Sequence, residues 1–245
     1  MTCSYYHKVV YIDGNKFFMG NEYTAFGTAL HSLCEAWVED RLDTTPEKFF
    51  VKEFVKEIKG LPDSLELNKK LLLDMKIQGE VLAPMTIPYL KNHFGEFELV
   101  SVEEKLMEPI TEYKASDYKF KGFIDLVIKD AKGTYHIIDW KSCTWGWNAK
   151  KRSDPAVTYQ LTYYKNYFAK KHNIDPSDIK THFALLKRTP KSNQVEIFEV
   201  TSGPVRTKNA VKLLKDMLYN VTEGIVVKNR LSCERCDIYK TEYCI

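Results

Sequence analysis

Three successive stretches of alternating apolar and polar residues constrain the fold of this chain most. They cover residues 97–110, 118–128 and 134–143. Alternation with a period of two is typical of strands that have one face in a core. The second stretch contains Asp125, and the third contains Asp139-Trp140-Lys141 directly after an apolar run. The sequence therefore predicts a strand meander that carries two acids and a lysine on neighbouring strands.

Helical spacing of apolar residues predicts helices on both sides of the meander. The predicted helices cover about 25–41, 46–59, 64–94, 155–171 and 205–221, and a further strand pair covers 181–186 and 194–200. This order predicts an α/β fold, in which a central mixed β-sheet is flanked by helices, with an N-terminal helical region and a C-terminal cysteine-ligated cap. Nothing marks a hinge, so we expect one domain over 1–245 with a helical insert at 43–95.

The composition excludes some classes of protein. With 245 residues, 44% of them apolar and 28% charged, the chain is long enough for a core that does not depend on disulfides. A net charge of +3 is too small to indicate a nucleic-acid partner, so only local clusters can do so. No apolar run approaches the roughly 20 residues of a membrane span. We therefore expect a cytoplasmic protein without a membrane partner.

The two acids and the lysine suit phosphodiester hydrolysis. Divalent metal held by carboxylates can activate water, neutralise the scissile phosphate and stabilise the leaving group. Asp125 and Asp139 are the candidate ligands, with the backbone carbonyl of Trp140 as a further one. Lys141 lies two positions after Asp139 and so shares its face of the strand, where it can orient water or offset phosphate charge. A solvated surface ion pair is the alternative.

Five motifs resemble, in their order along the chain, those of the PD-(D/E)XK nucleases and specifically their RecB-like branch. They are Gly27-Thr28-Ala29-Leu30-His31, then Glu104 with Glu103 as second choice, Gly122-Phe123-Ile124-Asp125, Ile138-Asp139-Trp140-Lys141-Ser142 and Gln160-Leu161-Thr162-Tyr163-Tyr164. The resemblance implies a restriction-endonuclease-like core and a site for Mg²⁺ or Mn²⁺. Its implied metal ligands are His31, Asp125 and Asp139. Its implied catalytic or positioning residues are Glu104, Asp125, Asp139, Lys141, Gln160 and Tyr164.

Cysteines cluster near the C-terminus as Cys233, Cys236 and Cys244. A zinc ion or a four-iron cluster needs four ligands, and Cys3, Cys34, Cys143 or a histidine is open as the fourth. Similarity to the RecB-like nucleases with an iron–sulfur cluster, including the AddB nuclease domain and the CRISPR-adaptation exonucleases, implies a [4Fe-4S] cluster on Cys3 and the three C-terminal cysteines. The cap would consist of 228–245 with Cys3. Zinc and unligated cysteines are the alternatives.

A basic segment after the third stretch is the candidate DNA contact. Lys150, Lys151 and Arg152 can hold the phosphate backbone, and Trp145 and Trp147 can stack on unpaired bases. A solvated basic turn with core tryptophans is the alternative.

The sequence thus predicts a metal-dependent DNA nuclease, an exonuclease on DNA ends or single strands in recombination, repair or replication. A structure-specific endonuclease and a weakly active DNA-binding or assembly subunit are the alternatives. The chain has no Gly-rich phosphate loop of the ATPase type, so any ATP-driven step would need a helicase or recombination partner. The expected setting is the cytoplasm of a bacterial or phage-infected cell.

Overall fold

A five-stranded mixed sheet forms the centre of the fold. The computed structural model describes residues 3–113 and 117–244, so residues 1, 2, 114–116 and 245 of the predicted domain lie outside it. The strands are β1 (Phe97–Pro109), β2 (Lys119–Asp130), β3 (Tyr135–Cys143), β4 (Ile179–Lys187) and β5 (Val195–Glu199). They lie side by side in chain order, with β3 and β4 parallel and the other neighbours antiparallel. The predicted α/β architecture with a mixed sheet is confirmed.

The helices lie where the apolar periodicity indicates, with two short additions, one near the N-terminus and one after β3. They are α1 (Ser4–His7), α2 (Glu22–Val38), α3 (Pro46–Lys59), α4 (Lys69–Leu82), α5 (Thr86–Phe94), α6 (Ala149–Ser153), α7 (Pro155–His172) and α8 (Pro204–Thr222). The single helix predicted over 64–94 is divided by a 3₁₀ turn, Ala83–Met85. Pro84 causes the break, because proline lacks an N–H and its ring clashes with the preceding turn. Within the described ranges, every helix is too short or too polar to cross a membrane.

The sheet is buried on both faces, and each face has its own core. Neighbouring residues of β3 point to opposite sides, so Ile138 packs with helices α2 to α5 and Ile137 packs with α7. Phe50 of α3 and Met75 of α4 belong to the first core together with Ile138. The helices of the predicted insert therefore cover one face of the sheet.

Close packing of α2 on the sheet depends on a glycine. Asn21 and Thr24 exchange side-chain and backbone hydrogen bonds of 2.9 and 3.0 Å and so cap the start of this helix. A Cβ atom at Gly27 would lie only 3.1 Å from Ser142 Oγ on β3. Residues four apart share a helix face, so His31 follows Gly27 towards the same strand.

A pair of buried histidines joins β3 to β4. His136 Nδ1 lies 3.0 Å from His182 Nε2, and His136 Nε2 lies 3.2 Å from Asp130 Oδ2. The other ring nitrogen of His182, Nδ1, is buried without a hydrogen-bond partner. Burial, followed by the neighbouring His136, lowers the pKa of His182 to about 3. This histidine is therefore neutral in the folded protein at ordinary pH.

The His182→Asn variant is expected to lose less stability than the wild type on acidification from pH 7 to pH 5. In the unfolded chain this histidine has a pKa near 6.5, whereas in the folded protein its pKa is about 3. Stability present above pH 6.5 is therefore lost as the pH falls, by up to about 1.4 kcal/mol per pH unit. Urea unfolding at pH 7, 6 and 5 measures the slope. His7→Asn, at a half-buried histidine outside the sheet, is the control, and equal slopes for wild type and His182→Asn would contradict the prediction.

Candidate active site

Asp125 and Asp139 lie where β2 and β3 separate. Backbone pairing of the two strands ends at Leu126 and Ile138, so the two acids occupy the next opposed positions. Asp125 Oδ2 accepts a hydrogen bond of 2.7 Å from the backbone N–H of Trp140. The carboxylate binds the β3 backbone where β2 no longer pairs with it. We call this point, where β2 and β3 separate beside Asp125 and Asp139, the fork.

His31, Glu103 and Asp125 form one cluster. Their ligand atoms all lie within 4.8 Å of one another, and no other group of three or more His, Cys, Asp or Glu side chains in the described part of the chain does so. His31 Nδ1 lies 3.7 Å from Asp125 Oδ2. Burial lowers the pKa of His31, which keeps the imidazole in the neutral form that binds metal.

Glu103 reaches the cluster through the register of β1 on β2. Val102 pairs with Leu126 and Glu104 pairs with Ile124, which sets Glu103 opposite Asp125. Its backbone adopts a left-handed conformation with φ of +46°, which costs a non-glycine residue on the order of 1–3 kcal/mol. Strain of this kind persists where the surrounding structure determines it, and it is common at functional sites.

Glu104, the first choice from the sequence, lies away from the cluster. Its carboxylate binds Lys171 Nζ at 2.8 Å, His172 Nε2 at 2.5 Å and Ser101 Oγ at 2.5 Å. Burial alone would raise the pKa of Glu104, but these hydrogen bonds lower it overall. The structure thus differs from the predicted assignment, because the alternation of β1 turns Glu104 towards α7, together with Leu106. That apolar residue two positions later was the signal available in the sequence.

Asp139 and Lys141 form the second half of the site. Lys141 Nζ lies 2.5 Å from Asp139 Oδ2, as expected for side chains two positions apart on a strand. Asp139 is only 1% exposed, and the approach of the lysine is not aligned as a hydrogen bond, so Oδ2 has no hydrogen-bond donor. Asp139 lies outside the 4.8 Å group, although the charges of Asp125 and His31 act on it.

The carboxylates at the fork favour a positive partner. Burial raises the pKa values of Asp125 and Asp139 to about 6, against the opposing effect of the Lys141 charge. Burial also raises the pKa of Glu103. One neutral imidazole and three carboxylates fit a divalent cation, and the nitrogen donor suits Mn²⁺ as well as Mg²⁺. The Trp140 backbone, which raises the pKa of the neighbouring His31 against the larger effect of burial, adds an oxygen at the same place.

Gln160 and Tyr164 belong to α7 and lie beside Asp139 of β3. Gln160 Nε2 donates to the Tyr164 hydroxyl at 3.0 Å. Burial raises the pKa of Tyr164, and the charges of Asp139 and Asp125 raise it further. A Cβ atom at Gly122 would lie 2.7 Å from the Tyr164 ring, so this glycine makes room for the tyrosine.

The predicted DNA contacts divide into two groups. Trp145 is 70% exposed, and Lys150 and Lys151 on α6 are exposed as well. Trp147 is 8% exposed and packs in the second core, and Arg152 donates to the Trp147 carbonyl at 2.8 Å and to Glu196 at 2.6 Å. The structure does not place these last two at a free surface, because their contacts hold the turn onto the sheet.

The two ends of the chain meet. Ser4 Oγ and the Tyr5 N–H both donate to the Val227 carbonyl, at 3.1 and 3.2 Å. The Asn229 N–H donates to Cys3 Sγ at 3.4 Å, and Cys233 Sγ lies 3.9 Å from the Asn229 carbonyl oxygen.

The remaining cysteines of the predicted cap lie in the same region. Cys236 and Cys244 pack with Val9 and Ile238, and all six cysteines are free. No three sulfur atoms in the described residues lie within 4.8 Å of one another. Four cysteines thus share one corner of the molecule without the close spacing of a single-ion site.

Comparisons with known proteins agree with this fold. The model of the PD-(D/E)XK nuclease superfamily matches residues 1–241. A provisionally named exonuclease of Eubacterium rectale has a similar structure, with a TM-score of 0.59 and 14% identity over 96% of this chain and 80% of that chain. At this identity the likeness shows the fold alone. SSO0001, at a TM-score of 0.41 and 14% identity over 96% of this chain and 89% of that one, is too distant to support an argument. No curated protein gave a significant sequence match.

Proposed function

The chain belongs to the PD-(D/E)XK nuclease superfamily, and from this premise we propose that it is a metal-dependent DNA nuclease of the RecB-like branch. We assign it exonuclease activity on DNA ends or single strands. The observation that carries the proposal is the cluster of His31, Glu103 and Asp125 beside the Asp139–Lys141 pair at the fork of β2 and β3.

Different residues of the site would serve different parts of phosphodiester hydrolysis. When bound, Mg²⁺ or Mn²⁺ supplies charge neutralisation on the phosphate and an activated water. His31, Glu103, Asp125 and Asp139 would hold it. Lys141, beside Asp139, can hold the attacking water in line or offset charge that develops on the phosphate.

Positioning groups surround these ligands. Asp125 keeps the Trp140 backbone in place through its 2.7 Å hydrogen bond. Tyr164, oriented by Gln160, closes the α7 side of Asp139. Exclusion of water by these groups strengthens every electrostatic interaction inside the site.

End-labelled DNA digested with and without metal tests the proposal. We expect hydrolysis that requires Mg²⁺ or Mn²⁺ and releases nucleotides progressively from labelled single strands or duplex ends. Cleavage of circular single-stranded DNA would instead support a structure-specific endonuclease. Absence of metal-dependent hydrolysis on every DNA form would overturn the proposal and favour a DNA-binding or assembly subunit that keeps the fold.

We further propose that Cys3, Cys233, Cys236 and Cys244 hold a [4Fe-4S] cluster that fastens the chain ends together. Burial alone would raise the pKa of the Cys3 thiol, but backbone N–H groups, that of Asn229 foremost, lower it overall and so favour the thiolate. A zinc ion needs its four sulfurs close together, because each bond is about 2.3 Å long. A cluster spaces them more widely, since each thiolate binds a different iron atom. The proposal of iron instead of zinc rests on the order of the cysteines, one before the His31 helix and three near the C-terminus, as in the RecB-like nucleases that hold a cluster.

Protein purified without oxygen is expected to be brown and to contain iron. Cys233→Ser should lose the colour and the iron, and it should unfold at a lower temperature because the cap loses its covalent links. Cys143→Ser, a half-buried cysteine outside the set, is the matched control and should keep both. Zinc without iron in the wild type, or iron retained in Cys233→Ser, would contradict this assignment.

The proposed setting is recombination, repair or replication in the cytoplasm of a bacterial or phage-infected cell, with a helicase or recombination protein as partner. Copurification of an ATPase with the full-length chain from its own host would support this setting.

A further inference from the structure

Helix α2 runs beside β3 and beyond its end. His31 lies near the backbone of Trp140, and one turn earlier Gly27 lies against Ser142, where a Cβ atom would come within 3.1 Å of Oγ. Tyr23 precedes Gly27 by a further turn on the same face. Eight residues of helix span about 12 Å. The contacts therefore trace a path from the candidate metal site outward to Tyr23.

Arg188 joins Tyr23 to the loop after β3. Its guanidinium carbon lies 5.2 Å from the centre of the Tyr23 ring, and its Nη2 donates to Thr144 Oγ1 at 3.0 Å. Its Nη1 donates to Gln78 Oε1 at 3.0 Å. Arg188 is only 7% exposed. The arginine is thus a fixed part of the fold, and it holds the tyrosine and the loop next to each other.

Trp145 projects from this loop into solvent. The Thr144 carbonyl accepts hydrogen bonds from Thr189 N and Thr189 Oγ1, at 3.1 and 2.7 Å. Trp147 is buried on the other side. Trp145, held between these two anchored residues, is nevertheless 70% exposed, and Tyr23 is 51% exposed. One of these exposed rings stacks on Arg188, and the other follows Thr144, which the same arginine binds. Two large aromatic rings linked in this way and open to solvent mark a binding surface more than two scattered ones would.

The charges near these rings suit nucleic acid. Lys150 and Lys151 lie exposed on α6, a few residues after Trp145. Aromatic rings bind bases through their faces only where the bases are unpaired, and basic side chains follow the phosphates. A duplex has no free base faces along its length, so this combination favours a single strand.

We propose that Tyr23 and Trp145, held together by Arg188 and Thr144, form a stacking platform for unpaired bases of a single DNA strand whose scissile phosphate lies at the fork. This inference rests on the proposed nuclease function and deepens it, because it names single-stranded DNA as the preferred substrate. The platform selects unpaired strands of any sequence, since every base has a face that can stack.

Fluorescence anisotropy with metal-free protein tests the platform without cleavage. Probes are a labelled oligothymidine and a labelled blunt duplex. Tyr23→Ala and Trp145→Ala are each expected to weaken single-strand binding roughly tenfold, the loss of about one stacked base, and to leave duplex binding within about twofold. Tyr219→Ala is the matched control, because Tyr219 on α8 is exposed to a similar extent at 52%. Circular dichroism confirms folding of each variant.

Tryptophan fluorescence supplies a second readout. Trp145 is the one tryptophan of the described chain that is exposed, so single strands should quench wild-type fluorescence and stop doing so in Trp145→Phe. The phenylalanine still stacks, and binding should remain within about threefold of the wild type. Wild-type affinity in both alanine variants, with nuclease activity intact, would overturn the platform alone. A wild type that neither binds nor cuts any DNA would overturn the proposed function and the platform with it.

Discussion

The Asp139→Asn variant is expected to lose nuclease activity by at least about a thousandfold, a loss of about 4 kcal/mol in transition-state stabilisation. Asp139 combines almost complete burial, a carboxylate oxygen without a hydrogen-bond donor and contact with Lys141. Asparagine keeps the shape but removes the charge that would hold the metal and orient the lysine. Initial rates on labelled single strands measure the loss. Asp216→Asn on the exposed face of α8 is the control and should retain wild-type rates.

The same variant should be more stable than the wild type when metal is absent. Burial raises the pKa of Asp139 to about 6, so keeping this group charged at pH 8 costs folding free energy. A pKa shift of about two units corresponds to roughly 3 kcal/mol of folding free energy. We expect the variant to gain only about 1–2 kcal/mol of stability, because Lys141 loses the charge with which it pairs.

Thermal unfolding at pH 8 with a chelator, and again with Mn²⁺, separates the two effects. Mn²⁺ should raise the unfolding temperature of the wild type more than that of Asp139→Asn. Wild-type activity in the variant would remove Asp139 from catalysis. A variant that is less stable than the wild type in chelator would show instead that the buried charge is well compensated.

Glu103→Gln and Glu104→Gln are expected to behave in opposite ways although they are neighbours in sequence. Glu103→Gln should weaken metal binding by roughly ten- to a hundredfold, as expected for loss of a charged group at the ion. Its activity should recover at high Mn²⁺ concentration. Glu104→Gln should keep wild-type activity per folded molecule, because its carboxylate binds Lys171 and His172 on α7 instead of facing the fork.

The cost of Glu104→Gln should appear in stability. Loss of hydrogen bonds from charged partners to a buried carboxylate should reduce the free energy of unfolding by about 1.5–3 kcal/mol. Metal titrations of activity and urea unfolding of both variants make the comparison. Full activity of Glu103→Gln at low metal, with an inactive Glu104→Gln, would reverse the two assignments.

The architecture followed from local patterns. Alternation over 97–110, 118–128 and 134–143 predicted three strands that the structure confirms within one or two residues. Period-two geometry also predicted that Asp139 and Lys141 share a face, and their side chains meet at 2.5 Å. These properties depend on neighbours in the chain, and any strand with this sequence has them.

Register decided which glutamate lies at the fork. The pairing of β1 with β2 shifts at a bulge between Leu99 and Ser101, and the resulting register sets Glu103 opposite Asp125. A bulge depends on how both strands pack and is not apparent in either strand alone. Glu103 and Glu104 are the same residue type, so composition could not separate them. The alternation with Leu106 was the one sequence signal, and it did not show which glutamate lies opposite Asp125.

Long-range packing likewise separated exposed from buried residues in the segment after β3. Trp145 and Trp147 look equivalent in the sequence, yet one is open to solvent and the other packs against Phe183 with ring centres 4.9 Å apart. The partners of Trp147 and Arg152 come from β4 and β5. Burial is a property of the assembled layers, so the chain around position 147 alone does not specify it.

The amino-acid sequence by itself determined the strands, the helices and the types of side chain able to bind metal, because these depend on periodicity and chemistry within short segments. Only the tertiary structure decided that His31, Glu103 and Asp125 converge and that Glu104 does not. Convergence requires α2 to approach β3 at Gly27 and requires β2 and β3 to separate beyond the Leu126–Ile138 pair, on the side of Asp125 and Asp139. Both depend on how the helices and the sheet pack together, and this packing exists only once the chain has folded.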